Sequence, residues 1–276
     1  MARNASLALV AAALLLAGAW WAFGPTPTER LETLLAQRRW EDAEALASSA
    51  VDDADIADQD ELYRGLGVAH GKQGEHEEAI AAYRAAHALR PDDDDLRHRV
   101  AIEIVGIGRE HEGRDEFDKA LARYREAVAT APEIPHGHRA LIHLLKRRGE
   151  TDATIDALRA ALAAGSPELV HRLDLAWLLA SHPDPSRRDA EAAMSLSEEA
   201  LIHDRTPETL DTYAVSLAAL GRYDEAVRYA VDAIRLAGGR DAPGFESRRE
   251  RLALFLEESP YIEGATAPDA EATTGE

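Results

Sequence analysis

The side chains with the clearest capacity for chemistry in this sequence are its eleven histidines. His136 and His138 are two residues apart and His143 follows five later, a spacing that does not place three imidazoles on one face of a helix. His70 and His111 occupy equivalent positions in two similar segments, so we interpret them as packing residues between helices. The histidine pattern therefore predicts no metal site.

The acidic runs do not match a known site either. Counted from Asp53, a calcium loop needs its sharp-turn glycine at the position of Asp58, so the run 52–60 is not such a loop. The run 92–95 follows Pro91 and predicts a helix N-terminus, where negative charge is favourable. We interpret both runs as solvated connections.

Other chemical motifs are missing from the sequence. There is no cysteine, which excludes a disulfide framework, a thiolate metal site and a cysteine nucleophile. Phosphate-binding loops, serine-hydrolase elbows and zinc-protease helices are also missing. We therefore predict a protein that is not an enzyme and has no cofactor and no metal.

Composition narrows the class of protein further. The chain has 276 residues, with 31 basic and 51 acidic side chains and a net charge of −20, which repels nucleic acid. Hydrophobic residues make up 46% of the chain but aromatic residues only 5%. Such a core is built from small side chains, which suits helix-on-helix packing.

The N-terminal segment has the character of a membrane span. Residues 5–23 carry no charge over 19 positions, which as a helix would measure about 28 Å, close to the bilayer core. Trp20 and Trp21 stand at its far end, where an aromatic belt is expected, and Pro25 would end the helix. We predict a signal-anchor with its linker at residues 1–27.

Two alternatives concern this segment. Ala17-Gly18-Ala19 fits a signal-peptidase site, after which a soluble periplasmic chain would begin at Trp20. Arg30, Arg38 and Arg39 outnumber Arg3, which favours a cytoplasmic orientation. Because long domains translocate largely regardless of charge, we predict a single-pass inner-membrane protein with its C-terminal part on the periplasmic side.

The rest of the chain repeats. Residues 107, 111, 120, 124, 127 and 132 each lie 41 positions after a residue of similar type, at 66, 70, 79, 83, 86 and 91. Within a repeat, two alanines lie seven positions apart, which is two helical turns, so both face the same neighbour. Tyr83 and Tyr124 fill the space between them, and Gly74, Gly149 and Gly221 allow the turn between two helices.

At these residues the chain resembles the tetratricopeptide repeat family, whose unit is a helix–turn–helix of about 34 residues. The best-matched unit contains Tyr63, Leu66, Gly67, Tyr83 and Pro91. The resemblance implies an all-α fold, a right-handed α-solenoid of helix–turn–helix repeats preceded by the N-terminal transmembrane helix. We assign its units to residues 28–58, 60–93, 94–133, 135–168, 169–206 and 207–240.

The C-terminal part is predicted to close the solenoid. Residues 241–263 are predicted to form a capping helix, because Leu252, Phe255 and Leu256 share one face. A solenoid needs such a helix to cover its last apolar face. Residues 264–276 are small, polar and acidic, and are predicted to be disordered.

In this family the first helix of each unit lines the concave groove that binds a partner. Transferred to this sequence, the resemblance implies a groove lined by cations and a histidine: Arg64, Lys72, Arg109, Arg139, His143, Lys146 and Arg147. An acidic or extended segment of another protein is the partner expected there. Asn4 is the only asparagine, so the asparagine clamp of the best-known peptide-binding members is missing.

These observations predict a non-catalytic scaffold or adaptor, tethered to the membrane through residues 5–23, that docks another protein in its groove. The alternative is an accessory factor for maturation, assembly or secretion of envelope components, as in cytochrome maturation or polysaccharide export.

Overall fold

The computed structural model describes residues 24–264, and within them the chain is all-helical, with no strand. Three short 3₁₀ turns accompany the α-helices, at Val51–Asp53, Pro185–Arg187 and Gly239–Asp241. The thirteen α-helices of this part of the chain are α1 (Pro27–Ala36), α2 (Trp40–Ala50), α3 (Ile56–Gln73), α4 (His76–Leu89), α5 (Asp94–Gly113), α6 (Phe117–Thr130), α7 (Pro135–Arg148), α8 (Thr151–Ala163), α9 (Leu169–Ser181), α10 (Ala190–His203), α11 (Pro207–Ala219), α12 (Tyr223–Ala237) and α13 (Phe245–Leu256).

The helices belong to two compact units, Met1–Ala131 and Pro132–Glu276. In the first unit, α1 to α6 pack as consecutive neighbours, and α1 also contacts α3. In the second unit, α7 to α13 do the same, and α9 also contacts α11. The predicted all-helical architecture of paired helices is therefore confirmed, while the right-handed path of a solenoid through all units stays a prediction.

Small side chains set the distance between the paired helices. The alanines that recur seven positions apart are essentially inaccessible, with at most 1% of their surface exposed: Ala79, Ala86, Ala120, Ala127, Ala193, Ala200, Ala226 and Ala233. Because an alanine adds only a methyl group, the neighbouring backbone approaches closely along these stripes.

Glycine and tyrosine interlock in the first unit. A Cβ atom placed on Gly67 would lie 2.4 Å from Cε1 of Tyr83, and one on Gly108 would lie 2.4 Å from Cε1 of Tyr124. Both rings are buried. Each tyrosine of a second helix thus occupies the space that a side chain on its paired first helix would need.

Left-handed residues make the turns between paired helices. Gly74, Gly149 and Gly221 have φ angles of 82°, 69° and 74°, a conformation that glycine adopts without strain. Asp115 takes the same role in the turn between α5 and α6, with φ of 59°. The glycine signal predicted three of these turns, whereas the turn at Asp115 carries no glycine.

Two expectations from the sequence need correction. Helix α13 ends at Leu256, so residues 257–263 do not continue the predicted capping helix. Glu258 has a left-handed φ of 51° and Pro260 follows it, which together stop the helix. The acidic run 52–60 is not wholly a solvated connection either, because Asp60 is buried within α3.

The predicted transmembrane segment, residues 5–23, and most of the predicted tail, residues 265–276, lie outside the described residues. Between residues 24 and 264, none of the helices has both the length and the apolar character needed to cross a bilayer.

We expect Gly67→Ala to destabilise the protein by about 1–3 kcal/mol, because the added methyl group overlaps a buried tyrosine ring. Chemical unfolding followed by circular dichroism measures the change. Gly113→Ala is the matched control: it also lies in a helix, and no atom lies within 4 Å of its added Cβ. Equal stability of the two variants would contradict the glycine–tyrosine interlock.

Candidate functional site

The first helices of adjacent pairs lie side by side in the first unit. Between α3 and α5 they enclose a pocket of about 240 Å³, with Val68 and Lys72 on one wall and Arg99, Ile102 and Glu103 on the other. Tyr83 also lines it. Of the seven predicted groove residues, Lys72 lines this pocket.

Lys72 and Arg109 are the most available of the predicted cations. Both side chains are exposed, and neither forms an ion pair with any residue from 24 to 264. Arg99 is engaged: its Nε donates to Oδ2 of Asp95 at 2.7 Å, and its guanidinium lies 5.8 Å from the ring centroid of Tyr83. Arg99 was not among the groove residues predicted from the sequence.

Arg64 is tied into an internal network. Its Nε lies 3.0 Å from Oδ2 of the buried Asp60, and its Nη2 lies 2.6 Å from Oδ2 of Asp93, just before α5. Arg90 also pairs with Asp60, at 3.0 Å. The hydrogen bond from Arg64 lowers the pKa of the Asp93 carboxyl. Arg64 therefore holds α3 against the connection that precedes α5.

The predicted cations of the second unit lie on α7, and two of them bridge to its neighbour. Arg139 pairs with Glu168 at the start of α9, at 2.8 Å, and Lys146 pairs with Asp174 within α9, at 2.7 Å. His143 and Arg147 are exposed on the same helix and have interactions of their own. All four share α7, but carboxylates of the neighbouring first helix already compensate part of their charge.

A second pocket, of about 350 Å³, opens beside these bridges. Lys146, Asp174 and Trp177 line it, together with Glu263 from the segment after α13. Like the pocket between α3 and α5, this one contains side chains of both charges. Nothing in the sequence pattern indicated that residue 263 would return to α9.

Two arginines of α13 surround one buried carboxylate. Arg251 donates from its Nε to Oδ1 of Asp211 at 3.1 Å and also contacts Oδ2 through Nη2. Arg248 lies 3.7 Å from Asp211 and bonds Glu208 at 3.0 Å. The side chains of Arg251 and Asp211 are each only 9% exposed. This cluster fixes α13 to α11 through charge as well as apolar contact.

One group of residues brings together potential metal ligands. Glu44, His70 and Glu75 offer ligand atoms within 4.8 Å of one another. His70 Nδ1 lies 2.7 Å from Glu75, and the equivalent His111 Nδ1 lies 2.6 Å from Glu116. Within the described residues, the second pair has no third ligand beside it. The recurring histidine–glutamate bond therefore fastens the turn of each helical pair.

The second of these turns carries a strongly acidic carboxyl. Hydrogen bonds from Lys119 and from His111 lower the pKa of Glu116 to about 2. The carboxylate thus stays ionised at physiological pH and keeps its two partners across the turn between α5 and α6.

His171 is a buried histidine near the Arg139–Glu168 bridge. Its Nδ1 lies 2.9 Å from Oγ of Ser166, and its Nε2 lies 3.2 Å from Glu168. Burial lowers its pKa below the ordinary 6.5, although the nearby Glu168 acts in the opposite direction. The folded protein therefore keeps this imidazole neutral at a pH where the unfolded chain takes up a proton.

Because the unfolded state binds more protons at His171, we expect stability to fall as the pH drops below about 6.5. Urea midpoints at pH 7.5 and 5.5 measure this loss, which should be smaller in His171→Gln than in the wild type. His203→Gln, which alters an exposed histidine of α10, is the control and should retain the full loss. An equal pH dependence of all three proteins would contradict the role of His171.

Comparison with known families and structures gives one match of sequence and several of shape. The family model of the tetratricopeptide repeat matches residues 61–93, which cover most of α3, all of α4 and the connection before α5. No curated protein matches the sequence.

Three solved structures illustrate the similarity of shape. TTC0263, a thermophilic TPR protein of Thermus thermophilus, is 20% identical with a TM-score of 0.38, over 72% of this chain and 99% of its own. YrrB, described as a TPR protein with an unusual peptide-binding site, is 16% identical with a TM-score of 0.47, over 77% and 97%. Yeast Tom70 is 15% identical with a TM-score of 0.46, over 79% of this chain but only 43% of its own length.

Proposed function

We propose that this chain, which belongs to the tetratricopeptide repeat family through its match at residues 61–93, is a non-catalytic adaptor that docks an extended segment of another protein. Proteins of this fold generally mediate protein–protein interaction and are typically non-catalytic scaffolds. The docking surface is the face that the first helices of neighbouring pairs present together.

The observation that carries this proposal is the pocket between α3 and α5. It combines the apolar Val68 and Ile102 with Lys72, whose ammonium group forms no ion pair within the described residues, while the lining carboxylate of Glu103 pairs with His76 at 2.6 Å. An apolar contact surface edged by an uncompensated charge is a feature of a binding surface rather than of a self-sufficient helix packing.

The unpaired cations of the first helices α3 and α5 favour an acidic partner segment. Lys72 and Arg109 both lie on first helices, on a molecule whose net charge is −20. Such local cations attract a carboxylate-bearing segment at close range, although the net charge of the protein repels it at longer distance.

The cations of α7 form a separate candidate surface on the second unit, where a partner must displace existing ion pairs. An acidic segment that binds Arg139 or Lys146 there competes with Glu168 and Asp174, which already pair with them. His143 and Arg147 extend that face along α7. We assign Arg64 a supporting role, since it joins α3 to Asp93.

We expect the double charge reversal Lys72→Glu and Arg109→Glu to reduce partner capture at least about tenfold, the loss that removal of one good charge contact produces. Crosslinking in intact cells, followed by mass spectrometry of the adducts, measures capture. Charge reversal at Arg139, Lys146 and Arg147 is a less specific test. It also breaks the ion pair of Arg139 with Glu168, just before α9, and that of Lys146 with Asp174, within α9.

Arg84→Glu with Arg125→Glu is the matched control. These two arginines are also exposed and unpaired within residues 24–264, but they lie on the second helices α4 and α6. The control should retain the adducts of the wild type, with unchanged helicity in both variants. Equal adducts from both double variants would refute the assignment of the docking face.

We further propose that residues 5–23 tether the adaptor to the inner membrane, with the helical units on the periplasmic side. The support is in the sequence: 19 uncharged residues with tryptophans at their end. An adaptor held there would serve in the maturation, assembly or secretion of envelope components, which is the alternative function drawn from the sequence.

We expect Leu14→Lys with Leu16→Lys to move the protein from the membrane pellet to the soluble fraction, since each lysine at the centre of a span costs about 2.5–3.5 kcal/mol. Membrane fractionation measures the redistribution of the protein, and mass spectrometry of its N-terminal peptide shows where the mature chain begins. A wild-type protein that begins at Trp20 would support the cleaved-signal alternative instead. Resistance of the helical units to protease on spheroplasts would contradict the periplasmic orientation.

A further inference from the structure

The segment after α13 folds back onto α9 as non-helical chain. The backbone N–H of Glu263 donates to the carbonyl oxygen of Ser181 at 2.8 Å. In the reverse direction, Nε1 of Trp177 donates to Oε2 of Glu263 at 3.1 Å. One residue of the segment is therefore held through both its backbone and its side chain.

An aromatic side chain of the segment is held as well. The rings of Tyr261 and Trp177 have centroids 5.4 Å apart at an interplanar angle of 55°. The guanidinium carbon of Arg251 lies 5.0 Å from the centroid of Trp177 and 5.5 Å from that of Tyr261. Tyr261 thus packs against the indole of Trp177 and the guanidinium group of Arg251.

The groups that receive the segment are fixed by the helices themselves. Trp177 and Ser181 belong to α9, and Arg251 is held in place by its buried pair with Asp211 of α11. None of these supports depends on residues 259–263. Each of these groups thus has supports of its own, apart from its contact with the segment, as the residues of a peptide-binding site do.

The surface also continues beyond the segment. The pocket of about 350 Å³ that Glu263 lines extends to Lys146 and to Thr154 of α8. A bound chain would find there a cation, a hydroxyl group and the carboxylate of Asp174. The segment fills only one edge of the space available.

We propose that this surface of α9 and α13 is a binding site for an extended peptide that carries an aromatic residue followed, two positions later, by a carboxylate. The chain's own Tyr261-Ile262-Glu263 occupies it in cis. The inference rests on the proposed adaptor function and names the partner chemistry of the second unit: a partner with this motif binds by displacing the segment.

Displacement has a concentration threshold. A segment tethered to the end of α13 competes at an effective concentration of the order of millimolar, so a partner of ordinary affinity must present the motif locally or in several copies. The cis segment therefore limits docking to partners that are already held nearby.

The test uses the full chain with Tyr261→Ala and Glu263→Ala, which empties the site without altering a helix. The probe is a fluorescein-labelled synthetic peptide with the sequence of residues 257–264. Fluorescence anisotropy should show binding to this double variant about tenfold or more tighter than to the wild type. Glu257→Ala is the control, since it removes one charge from the same segment at an exposed position, and it should behave as the wild type.

Two further comparisons keep the outcome decisive. A peptide with alanine at both motif positions should not bind, and Trp177→Ala in the emptied chain should abolish binding of the intact peptide while circular dichroism remains helical. Absence of binding to the emptied chain at about 1 mM peptide, or equal binding of the alanine peptide, overturns the proposal. That failure would leave the test at Lys72 and Arg109 unaffected, because those residues belong to the first unit.

Discussion

Close approach of helix backbones is the constraint on which this structure depends. Alanines two turns apart leave the surfaces of paired helices nearly flat, and Gly67 and Gly108 remove the side chain altogether where a tyrosine ring enters. Helices packed this tightly bury their small side chains against one another, and their larger, charged side chains lie on the outward faces.

Ion pairs compensate the positive charge on some of these faces and leave it uncompensated on others. Although the molecule is acidic overall, several of its arginines and lysines are joined to carboxylates of the next helix or connection, as Arg64 is to Asp93 and Lys146 to Asp174. These bridges align neighbouring pairs but reduce the local positive potential. Lys72 and Arg109, on first helices, have no such bridge within residues 24–264, and neither do Arg84 and Arg125 on second helices.

Local features of the sequence predicted most of the fold, whereas contacts between distant segments escaped it. The alanine stripes and the glycine turns follow from spacing along one helix, and both are confirmed. The pair of Arg251 with Asp211 joins residues 40 positions apart, and the contact of Trp177 with Glu263 spans 86. No periodicity indicates such partners, so the early end of α13 and the return of its following segment to α9 were missed.

The glycine–tyrosine interlock has a consequence for how this sequence diverges. Gly67 and Tyr83 occupy one shared volume, so a larger residue at the first position is tolerated only where the second becomes smaller. The second unit illustrates the exchange: the corresponding positions hold Ile142 and Leu158, both buried. Related chains should therefore inherit these two sites as a pair, with an aromatic ring at the second site only where the first site leaves room for it.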